Sequence, residues 1–221
     1  MGLAVSAGVY LVLAASVLAL RGRPAYPAAK AAAGIAFTVL AVLCALQSGG
    51  AAGVRVFAAG FALCAAGDVA LGVYNLYGRS AWMAGGTGVF FCGHLCFLAG
   101  LWHLHAAAPA WLLLLPLAAA ASLAVLLRRG VVRMGRLAPF GVVYCFAVST
   151  LLAQSLSLLL SRPDFAAVLL CAGAVLFWTS DFILLFLYFG RRGKTPALHI
   201  ANLVTYYGGI LLMALSIRGL F

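Results

Sequence analysis

Glutamate is absent from this chain, and aspartate occurs three times, as Asp68, Asp164 and Asp181. Charged residues are 8% of the 221, against about 25% in an average soluble domain. So few charges cannot clothe a water-facing surface, which excludes an ordinary cytosolic enzyme. Cysteine offers no disulfide framework: Cys44, Cys64, Cys92, Cys96, Cys145 and Cys171 all lie in apolar runs, where a free thiol acts as a small hydrophobe. Histidine is nearly as scarce, with four in the chain. His103 and His105 stand two apart in one connection with no third beside them, and Cys92 and Cys96 share a helix face without further ligands. Zinc takes about three or four such ligands, so no metal and no cofactor is expected. No Gly-x-Ser-x-Gly elbow, phosphate-binding loop or dinucleotide fingerprint occurs, and Gly85-Gly-Thr-Gly88 reads as a helix-packing stretch.

What is present is apolar: 67% of the residues are hydrophobic. A spanning helix takes about 20 apolar residues, and eight such runs use about 160, leaving no room for a soluble domain. The fold class read from this is all-α, a polytopic transmembrane helical bundle of eight spans forming one membrane-embedded domain, 1–221. The spans are expected at 3–20, 31–47, 54–75, 83–102, 110–127, 138–158, 165–189 and 197–217. Gly and Pro mark the joints at Arg21-Gly-Arg-Pro24, Ser48-Gly-Gly50, Pro109, Arg162-Pro163 and Gly193-Lys-Thr-Pro196. The first run has no cation before it, and Arg21 and Arg23 follow it, so it reads as a span rather than a cleaved signal.

The net charge of +11 does not indicate nucleic acid, because the cations sit in short clusters between apolar runs, where they meet lipid headgroups. Connections after the odd-numbered spans hold eleven Lys and Arg (including Lys30, Arg79, Arg128, Arg192 and Lys194), and the opposite side holds Arg55, Arg162 and Arg218. By the positive-inside rule both termini face outward. Twelve Arg against two Lys, in an Ala-rich chain, fits a bacterial cytoplasmic membrane.

Two short stretches echo each other. Asp68 is followed by Leu76-Tyr-Gly-Arg79, and Asp181 by Leu187-Tyr-Phe-Gly-Arg191. They predict two parallel four-span repeats, with the aspartates at matching depth across the repeat axis. A charged residue deep in a span costs at least about 2.5–3.5 kcal/mol, so it normally faces the bundle interior and has a function. Asp68 shares a stripe of spacing four with Gly60, Cys64 and Gly72, which points it inward. Asp181 shares a face with Ala174, Phe177, Leu184 and Tyr188. His94 lies mid-span in the fourth run, Tyr144 in the cytoplasmic half of the sixth, and Lys30 at the cytoplasmic mouth of the second. The eighth carries the polar stripe His199, Asn202, Tyr206 and Gly209.

These pieces assemble into a pattern. Ala66-Gly-Asp68-Val-Ala-Leu71, Phe90-Phe-Cys-Gly-His94-Leu, Gly173-Ala-Val-Leu-Phe-Trp-Thr-Ser-Asp181 and Thr205-Tyr-Tyr207 occur in the order of the lysoplasmalogenase (YhhN-type) family, which the chain resembles over residues 30–213. Two positions depart from it: Lys30-Ala31 where the family has Lys-Pro, and Ile210 where it usually has a polar residue. The resemblance implies a membrane hydrolase that cleaves the vinyl ether of lysoplasmalogens to a fatty aldehyde and a glycerophospho-base. That chemistry needs a proton for the alkene carbon and a base for water, roles suited to one carboxylic acid and one carboxylate. The expected catalytic pair is Asp68 and Asp181, with Asp181 as acid and Asp68 as base supported by His94. Substrate-binding roles fall to Lys30 near the phosphate and to His94, Tyr144, Tyr206, Tyr207 and Asn202. The expected partners are a single-chain ether phospholipid and membrane lipids. The alternatives are a proton-coupled transporter or lipid-binding protein that uses the same aspartates, and a purely structural lipid-packing protein.

Overall fold

A computed structural model describes residues 2–105, 109–191 and 195–221. Eight helices account for nearly all of them: α1 Gly2–Ala19, α2 Tyr26–Gln47, α3 Ala52–Tyr77, α4 Ser80–Leu104, α5 Leu114–Arg128, α6 Ala138–Ser161, α7 Phe165–Phe189 and α8 Pro196–Leu220. Short 3-10 turns, Ala110–Leu113 and Gly135–Leu137, lead into α5 and α6. The eight segments, with the 3-10 turns counted into α5 and α6, are each long and apolar enough to cross a membrane. The all-helical, eight-span expectation is met, and the described residues include no named strand. Arg192, Gly193 and Lys194, read above as part of the last basic connection and its joint, lie outside the described residues.

One boundary differs with consequences. The second span was expected from residue 31, but α2 begins at Tyr26. Pro27 looks like a break in sequence, yet it sits in the first helical turn, where its missing N–H costs no hydrogen bond. Lys30 is therefore inside the helix, one turn from its start, and buried. At the other end of α3, Gly78 takes a left-handed φ of 68° and its N–H caps Tyr74 O at 2.8 Å. This closes the helix and lets α4 start two residues later.

The chain divides into two compact units, residues 1–104 with 214–221, and residues 105–213. In the first unit α3 and α4 pack through antiparallel glycines at spacing seven, Gly53 against Gly100 and Gly60 against Gly93, while Gly67 lies against Phe90 and Gly86 against Ala70 and Leu71. A methyl group at Gly100 would lie 2.6 Å from Phe57 Cβ and 2.9 Å from Gly53 O, so the backbones touch where side chains would otherwise intervene. Phe57, Phe61 and Phe97 fill the space beside this seam, with Phe97 centroids 5.0 and 4.9 Å from the other two rings. In the second unit α7 and α8 approach in the same way, where a methyl at Gly209 would stand 2.8 Å from Gly173 O. Seven residues along each helix, Asn202 Nδ2 donates to Ser180 O and Oγ, both at 2.8 Å.

Candidate functional site

The first unit buries an ion pair. Lys30 Nζ of α2 donates to Asp68 Oδ1 of α3 at 2.7 Å, with side-chain exposures of 7% and 2%. The early start of α2 sets the lysine's depth, and Gly72 gives its stem room. A Cβ at Gly72 would lie 3.2 Å from Pro27 Cα and 3.5 Å from Lys30 Cδ. The stripe Gly60, Cys64, Asp68 and Gly72 is buried as expected, with Gly60 and Cys64 against α4 and Gly72 against α2. Lys30 Nζ also lies 5.8 Å from the centroid of the buried Tyr26 ring. Tyr10 of α1, fully buried, stands within electrostatic range of Asp68. Removing two charges from water is expensive, and close pairing is what makes it tolerable.

His94 was expected to support Asp68. It is fully buried on α4, its Nδ1 lies 2.8 Å from Phe90 O of its own helix, and its ring packs edge-on to Phe97 at 6.4 Å.

The second unit holds a different arrangement. Tyr144 Oη of α6 donates to Asp181 Oδ2 of α7 at 3.1 Å, and both residues are half-buried. Trp178, one turn before Asp181, donates its indole N–H to Ser149 Oγ at 2.8 Å and stacks on Phe182 at 5.6 Å, which fixes α7 against α6. On the other side, Tyr206 packs on Phe177 at 5.5 Å and on Tyr207 at 4.9 Å, both tyrosines being buried. Asn202 is engaged with Ser180, whose hydroxyl donates back to Asn202 O at 3.2 Å. Ile210 is fully buried, so the position that is polar in the family pattern serves apolar packing here.

His103 and His105, weighed above as metal ligands, meet different neighbours. His103 packs at Gly53, and His105 Nε2 lies 3.0 Å from Ser157 Oγ. Asp164, in the connection before α7, accepts from Ala167 N at 2.9 Å and pairs with Arg162. The Ala167 N–H, followed by Arg162, holds its carboxyl below the usual range.

Four contributors were missed in sequence: Tyr10, Tyr26, Ser180 and Ser149. Ser180 directly precedes Asp181 in a quoted block. An indole N–H on an apolar helix is itself a signal that an acceptor such as Ser149 must face it.

Long apolar helices that hold carboxyls, a lysine and tyrosines within their spans define a multi-pass membrane protein with polar groups inside its spans. The YhhN family model matches residues 25–217, from the start of α2 nearly to the end of α8, and the chain belongs to that family. Comparison with curated proteins and with solved structures finds no match.

Proposed function

We propose that this protein is a membrane hydrolase that cleaves the vinyl ether of lysoplasmalogen-like, single-chain phospholipids. The observation that carries the reading is the unequal partnering of the two carboxyls within spans: an ammonium holds Asp68, and a neutral phenol holds Asp181. Vinyl ether hydrolysis needs such an unequal pair. Asp181 delivers a proton to the β-carbon, which leaves an oxocarbenium-like carbon next to the ether oxygen. Water adds to that carbon and yields its proton to Asp68. The resulting hemiacetal collapses to fatty aldehyde and free glycerol hydroxyl, and the proton gained by Asp68 balances the one lost by Asp181.

Lys30 and Tyr144 act in this scheme through the aspartates they hold, as positioning residues. Tyr206 and Tyr207 offer ring faces suited to an alkenyl tail. Asn202 keeps α7 and α8 in register through Ser180. The eleven-to-three division of cations supports both termini outside, which cysteine labelling near Ser48 and Gly130 in intact cells would test.

The test is aldehyde release. Purified protein, incubated with lysoplasmalogen and with saturated and alkyl ether analogues, should release aldehyde from the vinyl ether alone. No aldehyde from any ether lipid, together with proton-coupled uptake in vesicles, would replace the hydrolase with a transporter built on the same aspartates.

A further inference from the structure

At one end of the second unit, α5 closes, α6 opens and α7 closes, and the joint is pinned. Val132, 1% exposed, forms an antiparallel bridge with Gly190, and Arg133 N donates to Phe189 O at 2.9 Å. Around this joint stand Arg128, Arg129, Arg133, Arg136 and Arg191, all exposed. Among the described residues, none of these five makes a side-chain hydrogen bond or ion pair. No acid is at hand to neutralise them. The chain has three acidic side chains, and each has a partner elsewhere: Asp68 with Lys30, Asp181 with Tyr144, Asp164 with Arg162 and the start of α7. Their counter-charge must come from outside the protein.

We propose that this arginine face binds the phosphate-bearing headgroups of anionic phospholipids. The ends of three membrane-length helices put the guanidinium groups at headgroup level, and guanidinium pairs with phosphate through two parallel hydrogen bonds. The bridge fixes the connection, so the cations are presented on a tethered turn rather than a loose loop. Headgroup lipid is favoured over free phosphate because the apolar flanks of α5 and α7 can hold acyl chains beside the same arginines. Leu117 and Val125 of α5 are about half exposed, at 55% and 46%. The inference does not depend on the hydrolase reading.

Native mass spectrometry of the full chain in detergent, titrated with phosphatidylglycerol or phosphatidylcholine, tests it. The wild type should retain the anionic lipid about tenfold better than the zwitterionic one. Arg133→Gln with Arg191→Gln should abolish that preference, while Arg133→Lys with Arg191→Lys keeps most of it. Arg55→Gln with Arg218→Gln removes the same net charge and should leave the preference intact. Equal loss in that control would reduce the effect to overall charge and overturn the proposal. Displacement of the lipid by equimolar inorganic phosphate would overturn it too, since the site would then be one for a free anion.

Discussion

Asp68 and Asp181 occupy corresponding places in two separately packed units and are treated differently there. Each lies on the third helix of its group of four, eight residues after a glycine, Gly60 or Gly173, that touches the fourth helix. Each accepts a hydrogen bond from the second helix of its group, from a residue 38 positions upstream for Asp68 and 37 for Asp181. The same offsets therefore recur in both groups. They differ in that donor, Lys30 against Tyr144, and in burial, complete for Asp68 and partial for Asp181. A shared scaffold sets where the carboxyl sits, and the residue on the second helix sets what it can do.

The largest effect should come from stranding the buried charge. Lys30→Met leaves Asp68 without its ammonium and should cost about 3–5 kcal/mol of stability, read from thermal unfolding in detergent. Lys30→Met with Asp68→Asn should recover most of that loss. If the single change were neutral and the double one additive, the pair would not be the fixed unit described here. In lysoplasmalogen turnover, Lys30→Arg should lower kcat with little change in KM; a rise in KM alone would instead return Lys30 to the phosphate.

Closing the backbone contacts comes next. Gly100→Ala and Gly209→Ala each force a methyl against main-chain atoms of the facing helix and should destabilise by about 1–3 kcal/mol. Gly85→Ala and Gly88→Ala, where nothing lies within 4 Å of an added Cβ, should be near neutral in the same melting assay. Helix propensity alone favours alanine at all four sites, so equal gains there would show that close approach does not govern the seams.

Tyr144→Phe should cost less, about 1 kcal/mol, because Asp181 is half-buried and water can replace the phenol. A loss as large as that of Lys30→Met would erase the distinction between the two carboxyls.

The smallest effect concerns Asp164. Its carboxyl is held low chiefly by the Ala167 N–H and then by Arg162, so its stabilising contribution is present above the ordinary carboxylate range and is lost as pH falls through the depressed folded value. Melting temperature should be flat from neutral pH down to about pH 4 and fall below it, and Asp164→Ala should remove that acid limb. No side-chain cap of this kind begins α2 or α3, where Ala25 and Ala51 occupy the cap position.

The spans could be read directly because each is a long apolar run, and the inward face of Asp68 because small residues recur every four positions. Partners could not. Periodicity assigns a face to a residue but not the residue opposite, so Lys30 was expected near the substrate phosphate rather than against Asp68. Pro27 hid the true start of α2, since a proline after Gly-Arg-Pro-Ala-Tyr reads as loop unless it occupies the first helical turn. The glycine rows were present in the sequence at spacing seven, but their meaning depends on two helices running antiparallel in one register. Tyr144 was expected on the sixth span with no partner named, and only the packing of α6 on α7 joins it to Asp181.

The most direct test of the central claim is turnover of lysoplasmalogen by Asp68→Asn, Asp181→Asn and the double variant, each confirmed as folded and membrane-inserted. If the two carboxyls form one catalytic unit, each single change should abolish aldehyde release and the double change should cost little more than either. Substantial activity in Asp68→Asn or in Asp181→Asn would contradict the account.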